Sequence, residues 1–224
     1  MKHNLKKLLP VLILALALQE ANSQTKPDGS APQFLYPEFV KGEIRLKNGK
    51  SQFALLNYNT VSEQVVFRQD EKIFDLINVE NIDTVYIFKS KFIPSASRFY
   101  YELLLPGKVP LFLQHKGTLL PPGKPGAYGT TSQVSSSTYL SSTQLQSGYY
   151  NLKLPEDYDV KVDPVFWVRK DTIMASFISE KQFLKIFPGS ADDLKRYIKQ
   201  DRIRFDRVQD VIRLLTWMNL QNKF

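Results

Sequence analysis

From residue 41 to residue 115 the chain never sustains a helical period. It runs as short strand patterns cut by turn residues, which restricts this stretch to a β-rich domain. Glu43, Arg45 and Lys47 alternate with Ile44 and Leu46, as a strand with one buried face requires. Asn48 and Gly49 then mark a tight hairpin, because both residues tolerate the positive φ of such turns. Further strands are expected at 53–58, 64–68, 72–77, 84–88, 99–105 and 109–115. Val85, Tyr86, Ile87 and Phe88 form a run apolar on both faces, so the sheet must be covered on two sides. A small barrel or curled antiparallel sheet over residues 36–120 meets both conditions.

The pattern breaks at residues 121–147. Pro121, Pro122, Gly123, Pro125 and Gly126 come first, and 11 of the 19 residues from 129 to 147 are Ser or Thr. A tract so poor in apolar residues builds no core and reads as an exposed loop or linker, with Tyr128 and Tyr139 as anchors for a partner. β-hairpins are expected over 148–178, with strands at 149–154, 158–162, 165–169 and 172–177. A three-helix unit closes the chain over 179–224. Ser179 and Gln182 have capping-box spacing, and Pro188-Gly189 ends that first helix. Ser190 is placed to cap the second helix and Asp206 the third, on which Val208, Val211, Ile212, Leu215 and Met218 fall at helical spacing. The fold class expected is therefore α+β, mostly antiparallel β followed by helices.

The N-terminus has the form of an export signal. Lys2, Lys6 and Lys7 precede an apolar run of 11 residues, too short for a membrane-spanning helix. Ala21, Asn22 and Ser23 offer small residues for cleavage, so residues 1–23 read as signal peptide and 24–35 as a flexible leader. The chain has no cysteine, which excludes a disulfide scaffold, a thiolate zinc site, a cysteine nucleophile and a cysteine-linked lipid anchor. Without the signal, 27 basic side chains face 21 acidic ones. Residues 181–224 hold ten of the basic and five of the acidic. Positive charge is thus concentrated at the helical end, where Lys195, Lys199 and Arg202 are candidate partner-binding residues. Export makes an anionic membrane surface or an acidic envelope protein the expected partner, and not nucleic acid.

Motifs for nucleotide, metal or serine-nucleophile chemistry are absent, and no cofactor or metal ligand set is expected. A turn at Gly107-Lys108 would pair Leu105 with Pro110 and Tyr100 with His115, setting Glu102 diagonal to His115 on one face. An acid, an imidazole and a phenol so placed could run acid–base chemistry, although no nucleophile accompanies them. Asp157, Asp159 and Asp163 alternate onto one strand face but share it with Lys161 and lack a calcium-loop glycine. Trp167, Tyr149 and Tyr150 would serve a glycan-binding module if exposed and coplanar. Trp217 fits an interface between the last helix and the barrel.

Gly42-Glu43-Ile44-Arg45-Leu46-Lys47-Asn48-Gly49, with Leu55 to Tyr58, Val65-Val66-Phe67 and Ile82 to Val85, resembles uncharacterised exported small-barrel-plus-helices proteins of Bacteroidota-type bacteria. Phe183 to Leu215, with its Phe187-Pro188 pair and the Ile203 and Phe205 break, is similar to their helical end. The resemblance spans about half of the chain. It implies fold and export but brings no catalytic residue. It also makes Asp83-Thr84-Val85 and Asp171-Thr172-Ile173 look like short O-glycosylation sites of those bacteria. The function expected is a non-catalytic cell-envelope protein of the periplasm or outer membrane that binds another protein, as an accessory subunit of an outer-membrane complex. The alternatives are a glycan-binding module and an enzyme using Glu102 and His115.

Overall fold

The computed structural model describes residues 31–70, 72–95, 99–120, 124–125, 131–132, 149–150 and 158–222. The signal peptide, residues 24–30 of the leader and nearly all of the 121–147 tract, Tyr128 and Tyr139 included, lie outside the described residues. Eight strands come first: β1 (Val40–Leu46), β2 (Ser51–Asn59), β3 (Gln64–Gln69), β4 (Lys72–Asp75), β5 (Ile82–Ile87), β6 (Ser90–Pro94), β7 (Tyr100–Leu105) and β8 (Leu111–Leu120). Three short strands, β9 (Lys124–Pro125), β10 (Thr131–Ser132) and β11 (Tyr149–Tyr150), precede the long β12 (Asp159–Lys170) and β13 (Ile173–Phe177). Helices α1 (Glu180–Ile186), α2 (Ala191–Gln200) and α3 (Val208–Gln221) follow.

The architecture is α+β, as expected. Ten strands form one antiparallel sheet in the order β4-β3-β2-β1-β5-β6-β7-β8-β12-β13, with β11 added at the β4 edge, and the C-terminal helices follow it. The sheet is curled but its strands do not close a barrel. Instead, the β2–β3 turn fastens it. β7 pairs with β8 only as far as Glu102↔Leu113. Past that point Gly117 N donates to Thr60 O at 2.8 Å, and Tyr100 N to Glu63 O at 3.3 Å. Gln114 Nε2 donates to the Glu63 carboxylate as well. A side chain at position 117 would strike Thr60 Oγ1 at 2.5 Å and Val160 Cγ1 at 2.9 Å, so the close approach requires glycine there.

Period-2 alternation sorts the strands into an inner and an outer face. Ile44, Leu56, Tyr58, Val65, Val85, Ile87, Phe92 and Tyr100 point inward and form one core. Leu111, Leu113, Phe166, Val168 and Phe177 form a second with the helical residues Phe183, Leu194, Ile198, Val211, Leu214, Leu215 and Met218. The helices therefore cover the inner face of the β8–β12–β13 end, and neither part is complete alone.

Local details depart from the expectations in four places. β6 was not expected, and it pairs with β5 through a two-residue turn whose first residue, Phe88, has φ 53. The strands expected at 158–162 and 165–169 are one strand, which carries Pro164 opposite His115 without interruption. Ser179 does accept a bond from Gln182 N at 3.4 Å, and Gln182 Oε1 in turn accepts one from Ile178 N at 2.8 Å. Neither of the other two expected caps forms. Ser190 makes no side-chain cap bond, and Asp206 is turned to Arg204 while Arg207 holds the cap position of α3. Finally, the end of the leader is docked: Thr60 N and Oγ1 both donate to Gln33 O, at 2.8 and 3.0 Å, and Leu35 N to Tyr58 O at 2.9 Å.

Candidate functional site

A polar line crosses the inner face where the two cores meet. Glu102 on β7 stands opposite Phe92 on β6 and Leu113 on β8, so alternation brings Ser90, Glu102 and His115 to the same face of three neighbouring strands. The register expected from the sequence holds at Glu102↔Leu113 and Leu103↔Phe112, then slips so that Leu105 meets Leu111 and not Pro110. His115 Nε2 lies 2.7 Å from Glu102 Oε2, and Ser90 Oγ donates to Oε1 at 2.5 Å. Both side chains are largely covered, with 13% of His115 and 16% of Glu102 exposed.

Tyr100 is not the phenol of this group. Its hydroxyl donates to Leu76 O at 3.4 Å. Tyr58 approaches instead, stacked on Phe92 at 5.2 Å and edge-on to His115 at 5.6 Å, with its hydroxyl spent on Tyr100 O at 3.2 Å. The sequence reading missed Ser90 because it missed the strand that carries it.

Burial pushes the Glu102 carboxyl up, but hydrogen bonds from His115 and Ser90, with the charge of His115, outweigh it and hold the group below its ordinary 4.5. The carboxylate is the middle member of the line. An activated serine needs the imidazole there, to take the hydroxyl proton. Here Ser90 gives its hydrogen bond to Glu102, so the arrangement fixes the His115 ring and does not sharpen a nucleophile. A depressed acid stabilises the fold above its unfolded-state value and loses that contribution as pH falls through the folded one. Glu102→Gln should therefore be less stable than the parent at neutral pH, with the gap narrowing on acidification from about pH 6 to about pH 3. Urea unfolding across that range checks this; a constant gap would show that the carboxylate is not held ionised.

Lys195, Lys199 and Arg202 are exposed and follow one another at spacings of four and three along one flank of α2 and its end. Lys195 lies 4.0 Å from Asp192, while Lys199 and Arg202 have no acidic partner among the described residues. Arg202 sits at φ 50 where the helix ends, and Ile203 N donates to Ile198 O at 3.0 Å across it.

The remaining candidates sort by their contacts. Trp167 is half-buried, stacked on Tyr101 at 5.3 Å, and its Nε1 donates to Gln114 Oε1 at 2.7 Å. Trp217 stacks on Tyr197 at 4.3 Å within the helical unit. Asp163 pairs with Lys161 at 2.9 Å. Thr84 is buried and bonded to Asp83, whereas Thr172 is exposed in the β12–β13 turn.

One surface escaped the sequence reading. On the outer face of β2, Phe53 is 64% and Leu55 40% exposed. Leu55 lies in the ladder between Lys41 and Arg68, and Lys41 Nζ stands 5.6 Å over the Phe53 ring. Residues 53–56 are all apolar, so composition could not show which pair faces out. Only the β1 register, with Glu43 opposite Phe53, decides it.

No helix among the described residues is long and apolar enough to cross a membrane. No protein-family model, curated protein or solved structure matches the chain.

Proposed function

We propose that this chain is an exported, non-catalytic protein of the cell envelope that binds an acidic protein partner, as an accessory subunit of an outer-membrane complex. The observation that carries the reading is the outer face of β1–β2. Exposed Phe53 and Leu55 are flanked there by Lys41 and Arg68, while Glu43 opposite Phe53 is held by Arg45 and Ser51. The result is an apolar centre with a net cationic margin that complements an acidic rim around an apolar pocket. The stripe of Lys195, Lys199 and Arg202 adds a second basic contact that salt screens. The polar line at Glu102 and His115 serves on this reading as a structural tie between the cores.

The test is co-purification from the envelope fraction of native cells. The parent should retain a stoichiometric partner, Phe53→Ser with Leu55→Ser should lose it, and the charge reversal Lys195→Glu, Lys199→Glu, Arg202→Glu should weaken it. The screening length falls from about 10 Å at 0.1 M salt to about 3 Å at 1 M, so the basic contribution should fade over that range. A partner retained equally by all three proteins would overturn the proposal, as would a parent found only in the cytosol.

A further inference from the structure

We propose that one end of the molecule docks on an anionic lipid surface, with Ile173 and Leu220 as its apolar contacts and Lys108, Arg169 and Lys170 as its cations. Ile173 is 70% exposed and Leu220 74%, the two most exposed large apolar side chains among the described residues. They belong to different elements, yet direct bonds bring those elements to one end of the sheet. Asn219 in the last turn of α3 accepts from Val109 N at 3.0 Å and donates to Val109 O at 3.1 Å. The next residue, Pro110, accepts from Arg169 N at 3.3 Å. Lys170 then pairs with Ile173 across the β12–β13 turn.

The cations stand around these contacts in defined positions. Lys108 Nζ donates to Asn222 Oδ1 at 3.0 Å beside Leu220. Arg169 lies 5.8 Å over the Phe112 ring on the outer face of this end of the sheet, and Lys170 lies 5.7 Å over Phe187 on the inner face that also carries Ile173. A cation held against a ring is fixed in place and has less rotational freedom to lose on binding. A groove of about 330 Å³ runs between the β7–β8 turn and α3, lined by Leu105, Pro106, Lys108 and Leu220, with room for part of an acyl chain. Against the three cations the two turns carry one acid, Asp171. Asp192 and Asp193 at the start of α2 are paired with Lys195 and Arg196.

Charge complementarity selects an anionic occupant, and the form of the apolar contacts selects a bilayer. Isolated aliphatic side chains on turn and helix ends suit insertion between headgroups, with lysine and arginine stems reaching the phosphates. A protein interface would instead present a contiguous, packed centre, as the Phe53 face does.

Sedimentation of the purified protein with vesicles tests this. It should bind vesicles of phosphatidylcholine mixed with phosphatidylglycerol, and not vesicles of phosphatidylcholine alone. Lys108→Gln with Lys170→Gln should lower the affinity by about 25-fold, at about fivefold per cation lost. Ile173→Ser with Leu220→Ser should lower it too while leaving its salt dependence in place, and both positions are exposed, so the fold is kept. Lys195→Glu, Lys199→Glu, Arg202→Glu should still bind vesicles, which separates this surface from the protein-binding one. A parent that stays in solution with the anionic vesicles would overturn the proposal. So would end-of-sheet variants that sediment like the parent, or loss of binding on reversal of the α2 stripe alone.

Discussion

Val211→Asp should leave the chain without a folded helical unit. Val211 is fully buried in the core that α3 shares with β8, β12 and β13, beside Leu214, Leu215 and Met218. A carboxylate there finds neither water nor a cation, and its burial costs several kcal/mol, against a whole-domain stability of about 5–15 kcal/mol. The damage should not stop at the helix, because Leu111, Leu113 and Phe166 lose their cover with it. Loss of near-ultraviolet circular dichroism and of a cooperative thermal transition would report this. The reversal at Lys195, Lys199 and Arg202, whose side chains are exposed, should melt as the parent does. A variant at position 211 with an unchanged transition would remove α3 from the core.

Gly117→Val should be the other severe change, and its sign goes against propensity. Valine is favoured in strands, so an exposed strand glycine ordinarily gains from this replacement. At position 117 the new Cβ would lie 2.5 Å from Thr60 Oγ1 and 3.1 Å from the Thr60 carbonyl carbon. The backbone of the β2–β3 turn must retreat, and the bond from Gly117 N to Thr60 O breaks with it. Overpacking of this kind costs about 1–3 kcal/mol before the lost bonds of the turn are added. Gly189→Ala, with open space around its Cβ, is the matched control. Denaturant midpoints decide it: a valine variant as stable as the parent would mean that the turn does not hold β8.

What the sequence disclosed follows from the range of the physics involved. The apolar stripe of α3 and the Ser179 cap are local, written in spacings of three and four residues, and both form as read. The Glu102–His115 contact is nearly local as well, since one turn length and a period of two fix the register between adjacent strands. Ser90 stayed hidden for a different reason. The turn before it places Phe88 at φ 53, where glycine or asparagine usually sits, so no turn residue announced the hairpin. Pro164 misled in the opposite direction, since it reads as a strand end and yet sits within β12. The expected Asp206 cap lost to a nearer partner, because Arg204 two residues back holds that carboxylate. The outer-face pair Phe53 and Leu55, and the meeting of residue 60 with residue 117, depend on contacts between distant parts of the chain that no short window contains.

A sheet fastened by a turn has a hinge where a true barrel would have none. Separating Thr60 and Glu63 from β8 and β7 breaks the bonds at Gly117, Tyr100 and Gln114 but leaves every strand ladder intact. Openings of that size cost far less than global unfolding. In deuterated water, the amides of Gly117 and Tyr100 should therefore exchange well ahead of those of Leu113 and Phe166. That order of exchange would make the β2–β3 turn the first part of the domain to let solvent into the core around Tyr58.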